Sequence, residues 1–225
     1  MKEIKATIYK FEELADNVKK KIIERERFNV MDDCMESYGD DYESTLTALQ
    51  DAVHCKARDW QVDYCDYRYR LKFGNHPMFD YMSADEICGK YLFRYVNSII
   101  DNFFKGKYYS TPGCYVDGKY HYRYRHSRVL LDDDACPLTG MGYECSFENV
   151  LMKYYRTWTS YPASYSLRDL MHDCFDAFFK DWYDEYQYWA SDEGVIEQLS
   201  NSSQYEDEIF FEDGSKCRDI SKFVA

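Results

Sequence analysis

The chain of 225 residues predicts an α+β fold, with a small antiparallel sheet and four to six helices packed against it. Short stretches in which apolar and polar residues alternate predict strands. Longer stretches with apolar residues three and four positions apart predict amphipathic helices. Hydrophobic residues make up 45% of the chain and aromatic residues 19%, which indicates a sizeable core and argues against disorder.

The strand signals include one tetrapeptide that occurs twice. Tyr-Arg-Tyr-Arg stands at 67–70 and again at 122–125. In each copy the tyrosines fall on one face and the basic residues on the other, as in a half-buried antiparallel strand. If the two copies pair as neighbours, their basic faces merge into one patch. The second copy follows Asp117-Gly118, the strongest hairpin signal in the chain.

The first half of the chain also carries helix signals. Apolar spacing predicts a strand over Ile4–Phe11, a helix that follows it, and a second helix over about Ser44–Asp59. The Gly39-Asp40-Asp41 sequence between the two helices predicts a turn. Ser83 and Glu86 form a capping-box pattern, so a long helix is expected from there to about Phe104.

Three helices and a short strand are predicted for the second half. One covers Phe147–Trp158 and is broken by Pro162. The Ser166-x-x-Asp169 pattern then begins a long aromatic helix, and Ser191 caps a shorter helix through about Leu199. The chain should end in a short acidic strand with a glycine turn.

The charge divides the chain into a neutral and an acidic part. Residues 1–130 hold 21 Lys and Arg against 21 Asp and Glu, whereas residues 131–225 hold 7 against 20. These counts place the whole net charge of -13 in the second part. We nevertheless expect both parts to belong to one compact domain. Such a surface should repel nucleic acid and membranes and attract proteins with basic grooves.

No catalytic or cofactor signature is present. The sequence lacks phosphate-binding and dinucleotide-binding glycine loops, a nucleophile elbow, and zinc-ligand spacings. His172 and Cys174 would point apart on a helix, and the acidic loop Asp132–Cys136 lacks calcium-loop spacing. We therefore expect no catalytic residue, metal or cofactor. An enzyme of unrecognised type would need partners such as His172 or His54.

The cysteines and the apolar segments indicate a compartment. Nine cysteines are scattered without a C-x-x-C pair, which favours buried thiols in a reducing cytosol over a disulfide framework. The N-terminal segment resembles no secretory signal, and no apolar run approaches the length of a membrane helix. A cytoplasmic protein is the expectation.

The aromatic helix that begins at Ser166 is the candidate interaction site. Asp169, Asp173 and Asp176 share one face, and Asp184 extends the stripe. A step of four residues rises about 6 Å, close to the separation of successive phosphates, so the row can imitate a nucleic-acid strand. A merely solvated helix face is the alternative. The proposed partner-binding residues are Asp169, Asp173, Asp176, Asp184, Glu185, Asp192 and Glu193, with Tyr186 and Trp189 as aromatic anchors.

Both ends of the chain resemble a loosely defined family of small proteins from bacteriophages and gut-bacterial mobile elements. The likeness rests on "IYKFEELADNVKKKIIERER" near the start and on "DEYQYWASDEGVIEQLSNSSQYEDEIFFEDG" near the end. Some members carry an antitoxin label. The resemblance implies a phage or mobile-element origin and a bacterial cytosol, and it supplies no catalytic residues.

Three functional hypotheses follow. The first is a non-enzymatic inhibitor that binds a bacterial defence protein, such as a CRISPR effector nuclease, through a nucleic-acid-mimicking acidic surface. The second is an antitoxin-like protein that neutralises a basic toxin. The third is a single-stranded nucleic-acid-binding protein that uses Arg68, Arg70, Arg123 and Arg125, although its rings and cations lie on opposite strand faces.

Overall fold

The computed structural model describes residues 7–103, 109–116, 119–125, 142–201 and 208–217, with side chains described outside residues 101, 109–116 and 119–125. The described residues form five α-helices and three two-stranded antiparallel sheets, which confirms the α+β class. None of these helices is both long enough and apolar enough to cross a membrane.

Helices dominate the described chain. The helices are α1 (Asp16–Ala52), α2 (Gly89–Ile99), α3 (Cys145–Thr157), α4 (Leu167–Trp189) and α5 (Asp192–Asn201). The strands are β1 (Ile8–Tyr9), β2 (Cys55–Val62), β3 (Tyr67–Phe73), β4 (Tyr109–Val116), β5 (Lys119–Arg125) and β6 (Phe210–Phe211). The sheets pair β1 with β6, β2 with β3, and β4 with β5.

The chain divides into two compact units, and the boundary differs from the charge boundary at residue 130. The terminal unit comprises residues 1–38 and 184–225, and the central unit comprises residues 39–183. The terminal unit contains 11 Lys and Arg against 20 Asp and Glu, and the central unit contains 17 against 21. The terminal unit thus holds -9 of the net charge of -13.

The terminal unit joins the two ends of the chain. β1 and β6 pair with Ile8 opposite Phe211, and Phe11 packs edge-on against Phe210. Gly214 follows β6 with a φ of 84°, where a Cβ would lie 2.8 Å from the Val18 side chain. The positive φ and the close side chain therefore favour glycine at this turn. The predicted short strand followed by a glycine turn is present here.

The predicted turn at Gly39-Asp40-Asp41 is wrong, because α1 runs through it without a break. Buried side chains continue at helical spacing on both sides of the glycine, each in the core of its own unit: Met31, Cys34 and Met35 before it, and Tyr42, Leu46 and Leu49 after it. Burial of these side chains outweighs the penalty of about 1 kcal/mol for a glycine within a helix.

The predicted helix over Ser44–Asp59 is also wrong beyond Ala52. α1 ends at Ala52, and His54 adopts a left-handed φ of 50° that turns the chain into β2. Cys55 and Ala57 are buried while Lys56 and Arg58 are exposed, which is the alternation of a strand. Pairing with β3 satisfies the backbone of this stretch, so the strand replaces the last helical turns.

The core of the central unit is an aromatic face of α4 covered by β2 and β3. Phe175, Phe178, Phe179 and Trp182 are buried along α4. A register shift between Arg58 and Gln61 inserts an extra residue in β2, which turns Trp60 towards Phe179 and Trp182. Tyr42 of α1 stacks on Trp182 with ring centroids 5.0 Å apart.

Other predicted elements hold with adjusted ends. Ser83 and Glu86 form the expected hydrogen bonds, but these close a turn, and α2 begins only at Gly89. α3 and α5 match the predicted helices, and Ser191 accepts a hydrogen bond from the Gly194 amide as a cap. β4 and β5 pair around the predicted hairpin, whose Asp117 and Gly118 lie outside the described residues.

Candidate functional site

The carboxylate row of the central unit begins with a helix cap. The Ser166 amide and hydroxyl both donate to the Asp169 carboxylate, at 2.9 and 2.8 Å, and the Asp169 amide donates back to the Ser166 hydroxyl. This is the predicted capping box, and it starts α4 at Leu167. Asp169 is exposed, and its carboxylate holds the first turn of the helix in place.

The next two carboxylates of the row each accept a tyrosine hydroxyl. Tyr165 donates to Asp173 at 2.5 Å, and Tyr67 of β3 donates to Asp176 at 3.1 Å. Burial, and then the bond to Asp173, raise the pKa of the Tyr165 phenol, so this phenol remains a neutral donor. Asp173 is exposed and Asp176 is half-buried. The row therefore presents negative charge on a face that the tyrosines hold in a fixed geometry.

These bonds also decide the orientation of the first Tyr-Arg-Tyr-Arg strand. Tyr69 donates to the His172 carbonyl at 3.1 Å and stacks on Phe179 with centroids 4.7 Å apart. Tyr67 and Tyr69 thus pack against α4, whereas Arg68 and Arg70 point to solvent. A nucleobase could not stack on rings in this position, which confirms the separation of rings and cations noted in the sequence.

The two Tyr-Arg-Tyr-Arg copies do not pair as neighbours. β3, with Arg68 and Arg70, pairs with β2, and β5, with Arg123 and Arg125, pairs with β4. The register places Tyr109 opposite Arg125 and Thr111 opposite Arg123. Because β3 and β5 belong to different two-stranded sheets, strand pairing does not merge the basic faces of the two copies. The side chains of β5 lie outside the described ones.

The terminal unit brings a second group of carboxylates together. The Tyr188 hydroxyl donates to the Glu197 carboxylate. This bond, and then burial and the neighbouring charges of Glu193 and Glu185, raise the pKa of Tyr188 to about 12. We call Glu185, Glu193 and Glu197 the terminal acidic cluster.

The terminal acidic cluster also affects the buried thiol of Cys34. Burial, and then the carboxylates of Asp33, Glu185 and Glu197, raise the pKa of Cys34 to about 11. Burial and the same two glutamates also raise the pKa of Tyr38. The carboxylates therefore act together on neighbouring groups, which indicates a concentrated negative potential on this surface.

Two proposed contact residues of the terminal unit have structural roles instead. Trp189 is only 9% exposed, because it stacks on Tyr38 and packs edge-on against Tyr188, so it is wrong as an exposed anchor. Asp192 forms an ion pair with Arg27, and Arg27 also donates to the Ala190 carbonyl. Asp192 therefore secures the corner between α4 and α5 against α1.

The remaining proposed residues have accessible surface. Asp184 and Glu193 are exposed, and Glu185 and Tyr186 are half-buried. Tyr186, unlike Trp189, is thus an aromatic side chain of this helix end with surface that a partner can contact.

The histidines and cysteines do not assemble a metal centre in the described part of the chain. No group of three or more His, Cys, Asp or Glu side chains is placed to hold a metal ion there. Cys174 is fully buried in the α4 core, and His172 lies at the exposed edge beside Tyr69. The acidic loop Asp132–Cys136 lies outside the described residues.

Sequence reasoning missed several charged residues that the fold groups together. Glu197 follows Glu193 by four positions on α5, a spacing that places both on one helix face and that could have been noticed. Lys56 and Arg58 were assigned to a helix, although their alternation with Cys55 and Ala57 is a strand signal.

Comparisons with known proteins add no functional assignment. No protein family, curated protein or solved structure matches the chain. The resemblance of the two chain ends to proteins of phages and mobile elements stays a prediction.

Proposed function

We propose that this chain is a non-enzymatic inhibitor that occupies the nucleic-acid-binding groove of a basic bacterial protein, such as a CRISPR effector nuclease. The observation that supports this proposal best is the terminal acidic cluster. Glu185, Glu193 and Glu197 act together on Tyr188, in a unit that carries -9 of the net charge. A groove that binds phosphates with Lys and Arg would bind such carboxylates through the same charge-assisted contacts.

The proposed mechanism is competition for the groove. Carboxylates that lie one or two helical turns apart offer a basic groove several negative groups at once. A protein bound in this way excludes nucleic acid sterically and needs no chemical step. Because the contacts are ionic and near the surface, the affinity should fall steeply as salt shortens the Debye length from about 10 Å at 0.1 M.

The row of Asp173 and Asp176 offers a second surface of the same kind in the central unit. Both carboxylates keep their positions through tyrosine hydroxyls, which limits the entropy lost when a partner binds. Asp169 and Asp192 are less suited to a contact role, because each holds an intramolecular structure together.

The test is a panel of purified CRISPR effector nucleases, assayed for binding and for cleavage of their targets at about 0.1 M and about 0.5 M salt. We expect at least one nuclease to be bound and inhibited at low salt, released at high salt, and released by its own nucleic acid. The triple variant Glu185→Gln, Glu193→Gln, Glu197→Gln should lose this inhibition.

The matched control is the triple variant Glu12→Gln, Glu24→Gln, Glu212→Gln. It also removes three carboxylates from the same unit, all of them exposed, and should retain inhibition. Equal inhibition by both triple variants would contradict a role for the terminal acidic cluster. A partner that proves to be a small basic toxin from the native host, with no nuclease bound, would replace this proposal with the antitoxin hypothesis.

A further inference from the structure

A polar cavity lies at one end of the β2–β3 sheet in the central unit. Most of the charged residues that line it are cations, and they are distant in sequence from the carboxylates of α4 and α5. Its volume is about 230 Å³. Its lining comes from the end of α1, from β2 and from the end of β3, and includes Asp51, His54, Lys56, Arg58, Lys72 and Asn75. We call it the β2–β3 cavity.

The strand register concentrates positive charge at this cavity. Lys56 lies directly opposite Lys72, and Arg58 lies directly opposite Arg70. Like charges in directly opposite positions destabilise an antiparallel pair. The four side chains are exposed on one face of the sheet, while the other face packs on α4.

Three of these cations form no ion pair within the described chain. Arg70 has Asp59 at 3.6 Å, but Lys56, Arg58 and Lys72 form no ion pair or side-chain hydrogen bond with any described residue. Asp51 also lines the cavity, and it makes no ion pair with them there. The register therefore places three cations, with one carboxylate, around a space that is open to solvent.

The backbone at the cavity is held in an uncommon conformation. His54 and Asn75 both line the cavity, and both have left-handed backbones with φ values of 50° and 62°. The Gly74 amide donates to the His54 carbonyl at 3.2 Å, which fixes the two segments to each other. Non-glycine residues with positive φ are strained, and such strain is frequently found at binding sites.

We propose that the β2–β3 cavity binds the phosphate or diphosphate group of a small phosphorylated molecule. Lys56, Arg58 and Lys72 supply the charge, and the side chains of His54 and Asn75 supply further hydrogen-bond donors. The cavity is smaller than the roughly 300 Å³ at which pockets for drug-sized ligands begin, so it suits a compact anion. Binding of the anion removes the repulsion between Lys56 and Lys72.

The test is calorimetric titration of the full chain with inorganic phosphate and with pyrophosphate at about 0.15 M salt. We expect saturable binding, stronger for pyrophosphate because it carries more charge. The double variant Lys56→Gln, Lys72→Gln should bind pyrophosphate at least about tenfold more weakly. The control Arg94→Gln, Lys153→Gln removes two exposed cations elsewhere in the same unit and should bind like the parent chain.

A second measurement separates binding from folding. Without ligand, Lys56→Gln, Lys72→Gln should melt no lower than the parent chain, because it removes opposed like charges. Added pyrophosphate should raise the melting temperature of the parent chain and of the control, but not of the double variant. No saturable binding by the parent chain, or unchanged binding by the double variant, overturns the proposal.

A nucleic-acid strand carries the same phosphoryl chemistry, and a further arm separates this source. A single-stranded oligonucleotide is titrated under identical conditions. Binding of the oligonucleotide no tighter than that of pyrophosphate supports a small phosphorylated ligand. An oligonucleotide that binds at least about tenfold more tightly than pyrophosphate, and that the double variant releases, overturns the small-molecule assignment.

Discussion

Gly194 is the residue that sets the corner between α4 and α5. A Cβ at this position would collide with the Tyr188 carbonyl oxygen and would lie 3.0 Å from the Trp189 Cα. Both neighbours are backbone atoms, which cannot move aside as a flexible side chain could. The close approach of the two helices therefore depends on the missing side chain.

Replacement of this glycine tests that dependence. We expect Gly194→Ala to lower the free energy of unfolding by about 1–3 kcal/mol, because it overpacks the corner. The usual effect in a helix is the opposite, since alanine favours helix over glycine by about 1 kcal/mol. Urea denaturation followed by circular dichroism measures the change.

Gly39 in α1 provides the control, since a Cβ there would meet no atom within 4 Å. Gly39→Ala should stabilise the chain by about 0.5–1 kcal/mol through helix propensity alone. If both substitutions stabilise, the corner is not packed as closely as described.

Tyr95 anchors the end of α1 beside the β2–β3 cavity. Its ring is fully buried, and its hydroxyl donates to the Val53 carbonyl at 2.6 Å. Tyr95→Phe should cost about 1–3 kcal/mol, because it leaves that buried carbonyl without this donor. Thermal unfolding measures the loss. Tyr91→Phe, at an exposed position, should stay within about 0.5 kcal/mol of the parent chain, and an equal loss would contradict the assignment.

At the scale of elements, a charged network joins α1 to the segment that follows β6 in the terminal unit. Glu26 is only 5% exposed, and its carboxylate accepts hydrogen bonds from Arg25 at 2.7 Å and is paired with Lys216 at 3.2 Å. Burial raises the pKa of Glu26, but the bonds from Arg25, Lys216 and Asn29 outweigh burial and leave it below its ordinary value of 4.5.

This lowered pKa predicts the direction of a pH effect. Because the folded pKa of Glu26 lies below the unfolded one, the stabilisation is fully present above about pH 4.5 and is lost as the pH falls through the folded pKa. Glu26→Gln should therefore be less stable than the parent chain at pH 7, and the difference should shrink below pH 4.5. Urea midpoints measured from about pH 7 down to about pH 3 follow this change.

Glu24→Gln serves as the comparison, because Glu24 is exposed on the same helix. It should change stability little at any pH. A difference between Glu26→Gln and the parent chain that stays constant across this range would show that the carboxylate charge has no part in the network.

At the scale of the whole molecule, burial sorts the cysteines by reactivity. Cys34, Cys55 and Cys174 are buried, and burial raises the pKa of all three, to about 11 for Cys34 and about 12 for Cys55. Cys65 is exposed beside the β2–β3 turn. The thiolate is the reactive form of cysteine, so burial and the raised pKa both lower the reactivity of these three thiols.

Alkylation of the native chain at pH 8, followed by peptide mass spectrometry, tests this order. Cys65 and Cys145, which are both exposed, should be modified first. The three buried thiols should react only on unfolding, with a rate difference of at least about a hundredfold. Modification of Cys174 as fast as that of Cys65 would contradict the packing of the α4 core. The same chain in denaturant provides the control, since all cysteines should then react alike.

The sequence by itself determined those helices and strands that depend on interactions between residues close together in the chain. The Ser166–Asp169 capping box, the Ser191 cap and the alternation in β3 each act over a few residues, so α4, α5 and β3 could be predicted. The separation of Tyr67 and Tyr69 from Arg68 and Arg70 was predicted for the same reason, because side chains alternate along any strand.

Tertiary structure decided what depends on distant partners. α1 passes through Gly39 because packing of the residues on either side outweighs a local turn preference, and β2 exists because β3 pairs with it. Trp189 is buried because Tyr38 lies on α1, 151 positions earlier in the chain. The opposition of Lys56 and Lys72 arises in the same way, since only a strand register can bring two such distant cations to one cavity.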